Sequence, residues 1–323
     1  MNILPYLAAL CKYVIYGSSV FFTGELHRST DVLDILALRF LISFLGMWVL
    51  KVTKVIRLNV GFRVVVRHWH HEPLIKSLLL AALFEPVLYM LFETAGISMT
   101  TNVTAAVILS LAPIASCIVE AVVLKEKNSS LQRFFLLLGI VGVMYIAVNT
   151  GTQSGENNVF GILLLFGAIT VGALFAACSR KASAAFCPME ITYVSCLLGA
   201  IVFNTVNVIR HLVQGTILAY FAPLGSPGNL IGFLFLGVLS TIFATGLGNF
   251  ALSRLQMSTI AAFSGVSTLV TILIGVLFAD ETLYYFHYIG LSLILIRMVG
   301  VSAISLRQHK PALVQKYNQQ KEG

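Results

Sequence analysis

Glu85, Tyr89 and Glu93 stand at i, i+4 and i+8 in an otherwise apolar run, so on a helix turning about 100° per residue they share a face roughly 80° wide. Two carboxylates and a phenol on one face can hold a polar solute. A carboxyl in a low-dielectric site can also alternate between its charged and protonated forms. The next apolar run carries a matching stripe of small and polar residues, with Ala106, Ser110, Pro113, Cys117 and Glu120 within about 80° of one another. Pro113, in the middle of that run, predicts a helix break that frees the carbonyl of Leu109. Membrane helices tolerate such a break only where protein or water satisfies the freed group.

Lys12, Arg39 and Arg297 add cations to Glu85, Glu93 and Glu120 within apolar segments. Each charge at the centre of a bilayer costs on the order of 3 kcal/mol on insertion scales and therefore needs a reason. Helix rise places Lys12, Glu85 and Arg297 near the midplane, with Arg39 and Glu93 toward the outer side. Glu120 falls near the inner end, where a solvated or snorkelling carboxylate is expected. Lys12 and Glu85, at similar depth, are expected to face each other across a cavity. Asn102 and Asn249 add hydrogen-bonding capacity on neighbouring helices. Three positive and three negative side chains suit a zwitterionic or polar neutral solute better than a strongly charged one.

The elements that must position these residues are membrane helices. Hydrophobic residues make up 58% of the 323-residue chain, charged residues 11%, and mean hydropathy is +0.91. These values exclude an ordinary soluble globular class. The net charge of +8 would suit nucleic acid, but the basic residues cluster between apolar segments, where they orient a membrane protein. Cys11, Cys117, Cys178, Cys187 and Cys196 are odd in number and lack CxxC spacing, so neither a disulfide framework nor a zinc site is expected, and they read as small core residues. No cleavable signal is expected either, because the first segment lacks a basic leader and contains Lys12.

Ten spans are predicted, near 3–23, 33–51, 74–96, 101–124, 131–150, 158–178, 190–212, 229–252, 257–279 and 284–306. With the N-terminus inside, sixteen Lys and Arg residues fall on the cytoplasmic side, against Arg28 and Arg210 outside. Both termini are then cytoplasmic, in the cytoplasmic (inner or plasma) membrane. Five plus five spans put the two halves in opposite orientations, and landmarks recur 155 residues apart: Gly17 and Gly172, Ala106 and Ala261, Glu126 and Glu281. The fold class is thus an all-α integral membrane protein built as a 5+5 inverted repeat, over 1–150 and 151–306, with a basic cytoplasmic tail at 307–323. Such repeats enclose a site near the midplane. At the same offset Lys12 meets Gly167, Glu85 meets Ser240, Glu93 meets Gly248, Glu120 meets Gly275, and Arg297 meets Gly142. Each half can therefore build its helices without its partner's charges.

The residues resemble the drug/metabolite transporter superfamily with paired EamA-type domains. The pattern lies in LALRF (36–40), in AGISMTTNVTAAVILSLAP (95–113), and in LKEK followed by LLLGIVGV. It repeats as STIFATGLGNFALSRLQMSTIAAF (240–263) and FADETLYYFHYIGLSLIL. The resemblance covers essentially the whole chain and implies a cavity lined by spans 1–4 and 6–9. Two departures stand out: Thr268 replaces a usual second proline in the ninth span, and Arg297 replaces a small residue in the tenth.

Other motifs carry less. The HWHHE run (68–72) lies in a basic loop without a second ligand cluster, so no metal is expected. Gly151 to Gly155 is followed by neither GKS nor GKT, so it is not a phosphate loop. No cofactor is expected, and no Ser/His/Asp arrangement is discernible. The expected function is a secondary transporter of a small polar or zwitterionic metabolite, amino acid or amine-like, working by alternating access with a proton as a candidate coupling ion. Its partners are the small-molecule solute and the lipid bilayer, with homodimerisation left open. Two rivals stay open: a flippase for a lipid headgroup or lipid-linked sugar, and an integral membrane enzyme acting on a lipid-linked substrate.

Overall fold

The computed structural model describes residues 3–56, 73–100, 108–109, 111–125, 129–150, 158–278 and 284–308. Among them every regular element is helical. The first half supplies α1 (Leu4–His27), α2 (Val32–Val52), α3 (Pro73–Ala82), α4 (Tyr89–Ser98), α5 (Ala112–Val123) and α6 (Ser130–Thr150). The second supplies α7 (Val159–Ala182), α8 (Pro188–Val213), α9 (Pro227–Leu234), α10 (Thr245–Leu252), α11 (Met257–Ala262), α12 (Ser264–Phe278) and α13 (Tyr285–Gln308). Widened π-type turns, Leu83–Leu88 and Phe235–Ala244, join α3 to α4 and α9 to α10.

Among the described residues, seven helical stretches are long and apolar enough to cross a membrane: Leu4–His27, Val32–Val52, Leu74–Gly96, Val159–Ala182, Pro188–Val213, Pro227–Leu252 and Met257–Ile274. Three shorter apolar stretches, Ala112–Val123, Ser130–Ile146 and Tyr288–Ile304, accompany them. Leu, Val, Ile and Phe side chains cover much of the outer surface, including Val122, Leu163 and Val299. Lipid is the solvent that accepts such a surface.

Local sequence explains where these helices start. Pro5 and Pro188 stand in first turns, where a missing N–H costs nothing. The side chain of Asn158 caps α7 by accepting from Phe160 N at 2.8 Å, and Glu190 reaches back to Cys187 N at 2.8 Å ahead of α8.

The packing is paired across the halves. α2 lies along α8, and α6 lies along α13. α1 packs on α12 as α7 packs on α5, and α1 meets the Phe235–Ala244 turn and α10 as α7 meets α3, α4 and the turn between them. Small residues permit these approaches. A Cβ at Gly17 would sit 2.5 Å from the Ser267 carbonyl oxygen, and Gly142 and Gly290 lie against one another's carbonyls.

Four expectations change. Pro113 does not interrupt a described helix; it stands in the first turn of α5, after a turn at Leu111. There its fixed φ favours a helix start. Glu120 is fully buried instead of solvated. Arg180, expected in a connection, is buried in the last turn of α7. Cys11 and Cys187 are exposed and not core residues, because they lie on an outward helix face and at a helix start. The HWHHE run, the 151–155 turn and most of the tail lie outside the described residues.

Candidate functional site

A cavity of about 330 Å³ opens between the two halves. Tyr16 and Ser19 of α1 and Arg39 of α2 line it, with Glu85, Tyr89 and Glu93 from the broken helix opposite. Ser195 and Cys196 of α8, Ser240, Thr241 and Thr245, and Ser267 of α12 complete the polar lining. A cleft of about 450 Å³ between α5 and α6 is larger, but its lining is apolar except for Arg133 and Cys117 and it faces outward. The chemistry therefore resides in the smaller space.

Glu85 reaches the cavity because its backbone is not helical, with φ −133° and ψ 120°. Pro86 causes this locally: its ring disfavours the helical region for the residue before it, and it offers no N–H to the helix ladder. The glutamate is thus presented at a gap in the helix. Glu93 accepts a hydrogen bond from the Tyr89 hydroxyl at 2.8 Å. Glu85 is held by no hydrogen bond or ion pair among the described residues, and its nearest cationic influences are Lys12 and Arg39.

Arg39 carries the opposite charge. Its Nε donates to Thr241 Oγ1 at 2.8 Å and its Nη2 to Ser240 Oγ at 3.1 Å. A guanidinium has five N–H donors, so three are left for whatever enters the cavity. The Arg39 carbonyl accepts from Ser43 Oγ at 2.6 Å, and the same hydroxyl reaches Gly237 O at 2.8 Å, fixing α2 against the second-half turn. Tyr16 meets Thr245 Oγ1 at 3.2 Å.

The other sequence candidates divide. Lys12 does not line the cavity; its Nζ lies 5.1 Å and 5.2 Å from the ring centroids of Tyr13 and Tyr16, and it makes no direct ion pair with Glu85. Asn249 is buried and satisfied, accepting from Ser179 Oγ at 2.7 Å and donating to Thr192 Oγ1 at 3.0 Å, so it links α7, α8 and α10 behind the cavity wall. Arg297 lies at a helix interface and not in the cavity. It packs against Gly139 and Gly265, and its Nη2 donates to Ser264 Oγ at 3.1 Å. Asn102 lies outside the described residues. Sequence reasoning missed the hydroxyls Ser195, Ser240, Thr241, Thr245 and Ser267, which carry no signal singly. It also missed Pro86, which does: a Glu-Pro pair inside an apolar span marks a helix interruption.

The sequence profile of the EamA-like transporter family matches this chain twice, over residues 3–148 and 159–303. The chain belongs to the EamA-like transporter family. It is 31% identical over 295 residues to the uncharacterized transporter YcxC of Bacillus subtilis, covering 91% of each chain. It is 23% identical over 291 residues to an uncharacterized transporter of Archaeoglobus fulgidus, covering 88% of this chain and 96% of that one. A solved crystal structure shares the fold with a TM-score of 0.73 at 15% identity, covering 96% of this chain and all of the other. This EamA-family protein is therefore a multi-pass membrane transporter, and a polar cavity between two homologous halves is where such a protein would hold its solute.

Proposed function

We propose that the protein is a ten-span secondary transporter of a small polar or zwitterionic metabolite, amino acid or amine-like, in the cytoplasmic membrane. Two five-helix repeats of opposite orientation, 1–150 and 151–306, alternate access to the cavity, with both termini and the tail at 307–323 cytoplasmic. The observation that carries this reading is the charge layout of the cavity: a guanidinium with unused donors on one wall and two carboxylates on the other. An oxyanion docks on Arg39 and an ammonium on Glu85 or Glu93, while the hydroxyls of α10 and α12 serve the polar body between. A volume of about 330 Å³ is at the small end of ligand pockets and suits a metabolite better than a lipid-linked sugar. Glu85 is the coupling group, since it stands at a helix break with no fixed partner among the described residues.

The test is transport by purified protein in proteoliposomes, offered amino acids, amines and nucleosides in turn. Counterflow of a zwitterion is expected. Glu85→Gln should abolish accumulation driven by a proton gradient while leaving solute exchange measurable. Unchanged accumulation would move the coupling role to Glu93, and failure of every water-soluble solute would favour the flippase reading.

A further inference from the structure

Among the described residues, beyond the Arg39 and Ser43 contacts, two buried charged networks tie the halves together, one toward each end of the cavity, and neither lines it. At the end where α1 terminates, Asp34 of α2 accepts through Oδ1 from Asn207 Nδ2 and from His211 Nε2, both at 2.8 Å, and through Oδ2 from Arg210 Nη2 at 2.7 Å. Arg210 also reaches Asp31 at 2.8 Å, and the second ring nitrogen of His211 meets Thr216 Oγ1 at 2.8 Å. At the opposite end, Glu120 of α5 accepts from Arg180 Nη1 at 3.2 Å and from the backbone N–H groups of Met257 and Ser258 at 2.8 and 3.3 Å.

We propose that these networks are the two gates of the transport cycle: the Asp34 cluster shuts the end at the C-terminus of α1, the Glu120 cluster shuts the other, and they release in turn. This inference rests on the alternating-access reading above. Three observations support gating over simple cohesion. Each network joins an element matched in the first half, α2 or α5, to elements matched in the second, and movement of α2 against α8, or of α5 against α11, parts it. Each consists of charged and hydrogen-bonding groups that water can solvate on parting, and each lies away from the cavity, whereas the Arg39 contacts join the halves at the site itself. Arg210 Nε is buried without an acceptor among the described residues, so the closed Asp34 cluster is not a fully satisfied lock. The gates are chemically unrelated, since the positions 155 residues from Asp34 and Glu120 are Met189 and Gly275. Each can therefore be opened alone.

The native Cys196, buried in the cavity wall, reports which gate is open. With Cys11, Cys117, Cys178 and Cys187 replaced by serine or alanine, a membrane-impermeant maleimide is applied to vesicles of known orientation. Asp34→Asn should raise Cys196 labelling about tenfold from the face at the C-terminus of α1 and leave the other face unchanged. Glu120→Gln should do the reverse. Should Asp34→Asn fail to fold, Arg210→Gln decides, because it removes bonds only at the more exposed rim of the cluster. Labelling that stays unchanged in the folded variants, or rises equally from both faces, overturns the proposal. The readout needs no solute. Unresponsive gates in a protein that transports would sink this inference alone, and responsive gates in a protein that moves nothing would sink only the reading above.

Discussion

The third helical span of each half carries the same defect, and the two halves make it differently. In the first half the Leu83–Leu88 turn contains Pro86, and Glu85 leaves helical geometry altogether. In the second half the Phe235–Ala244 turn contains no proline and widens continuously. There Thr241 Oγ1 donates to Leu236 O at 2.8 Å, taking the carbonyl five residues back that an ordinary α-turn would leave to a closer partner. The positions correspond at the 155-residue offset, Glu85 to Ser240 and Pro86 to Thr241. One half uses the gap to present a charge, and the other uses it to present hydroxyls. Arg39 joins the two, since its guanidinium is held by the second-half hydroxyls while its charge faces the first-half carboxylates. The two walls of the cavity are therefore chemically unlike, which is what the proposed solute with two unlike ends would require.

Breaking that junction should give the largest effect. Arg39→Gln removes the cation and disturbs both bonds across the halves, leaving Glu85 and Glu93 without a nearby guanidinium. Losing one member of a desolvated charge set costs about 2–5 kcal/mol, roughly 30-fold or more in apparent affinity. Transport at low solute should fall by at least that factor. An unchanged KM in a folded Arg39→Gln protein would mean that the solute's anionic end docks elsewhere.

A smaller effect is expected where the second half makes its turn without proline. Thr241→Val deletes the hydroxyl that accepts from Arg39 and donates to Leu236 O, stranding a buried donor and weakening the widened turn. About 1–3 kcal/mol of stability should be lost in thermal or denaturant unfolding, and Thr241→Ser should restore most of it. Equal loss in both variants would show that the methyl group, and not the hydroxyl, supports the turn.

These contrasts bear on how far the sequence could be read. Apolar run lengths foretold an all-helical chain, and seven of the predicted spans are membrane-long helices among the described residues, because spanning a bilayer leaves backbone groups few alternatives. Glu85, Tyr89 and Glu93 were legible as one face, and all three line the cavity even though the helix breaks between the first two. Burial of Glu120 was not legible. Its depth near a span end is compatible with solvent, and only the N-terminus of α11 and Arg180, distant in sequence, supply its partners. Arg297 was legible as an anomaly but not as an interface residue, because its cradle is two glycines, Gly139 and Gly265, on other helices. The Asp34 cluster escaped notice for a similar reason: its members sit at span ends, where charges are ordinary, and only packing of α2 on α8 unites them.

The smallest expected effect concerns Lys12 and Glu85, whose similar depth suggests a pair. Gly248, the counterpart of Glu93, gives Lys12 its room, since a Cβ there would lie 2.8 Å from Lys12 Cδ. The ammonium is held over Tyr13 and Tyr16. Contacts of that kind are worth about 0.5–2 kcal/mol, so Lys12→Met should lose stability in that range through the aromatic contact alone. Glu85→Gln keeps the side chain's shape at the helix gap and should change stability by a separate amount. With no direct ion pair between the two, the double mutant's loss should equal the sum of the single losses within about 0.5 kcal/mol. A coupling well above that, with the double mutant regaining stability, would mean that Lys12 leaves the rings and reaches Glu85 in another conformation of the cycle. The first half would then carry its own internal charge pair in that conformation, and the division of labour between the two walls would hold for one state of the transporter only.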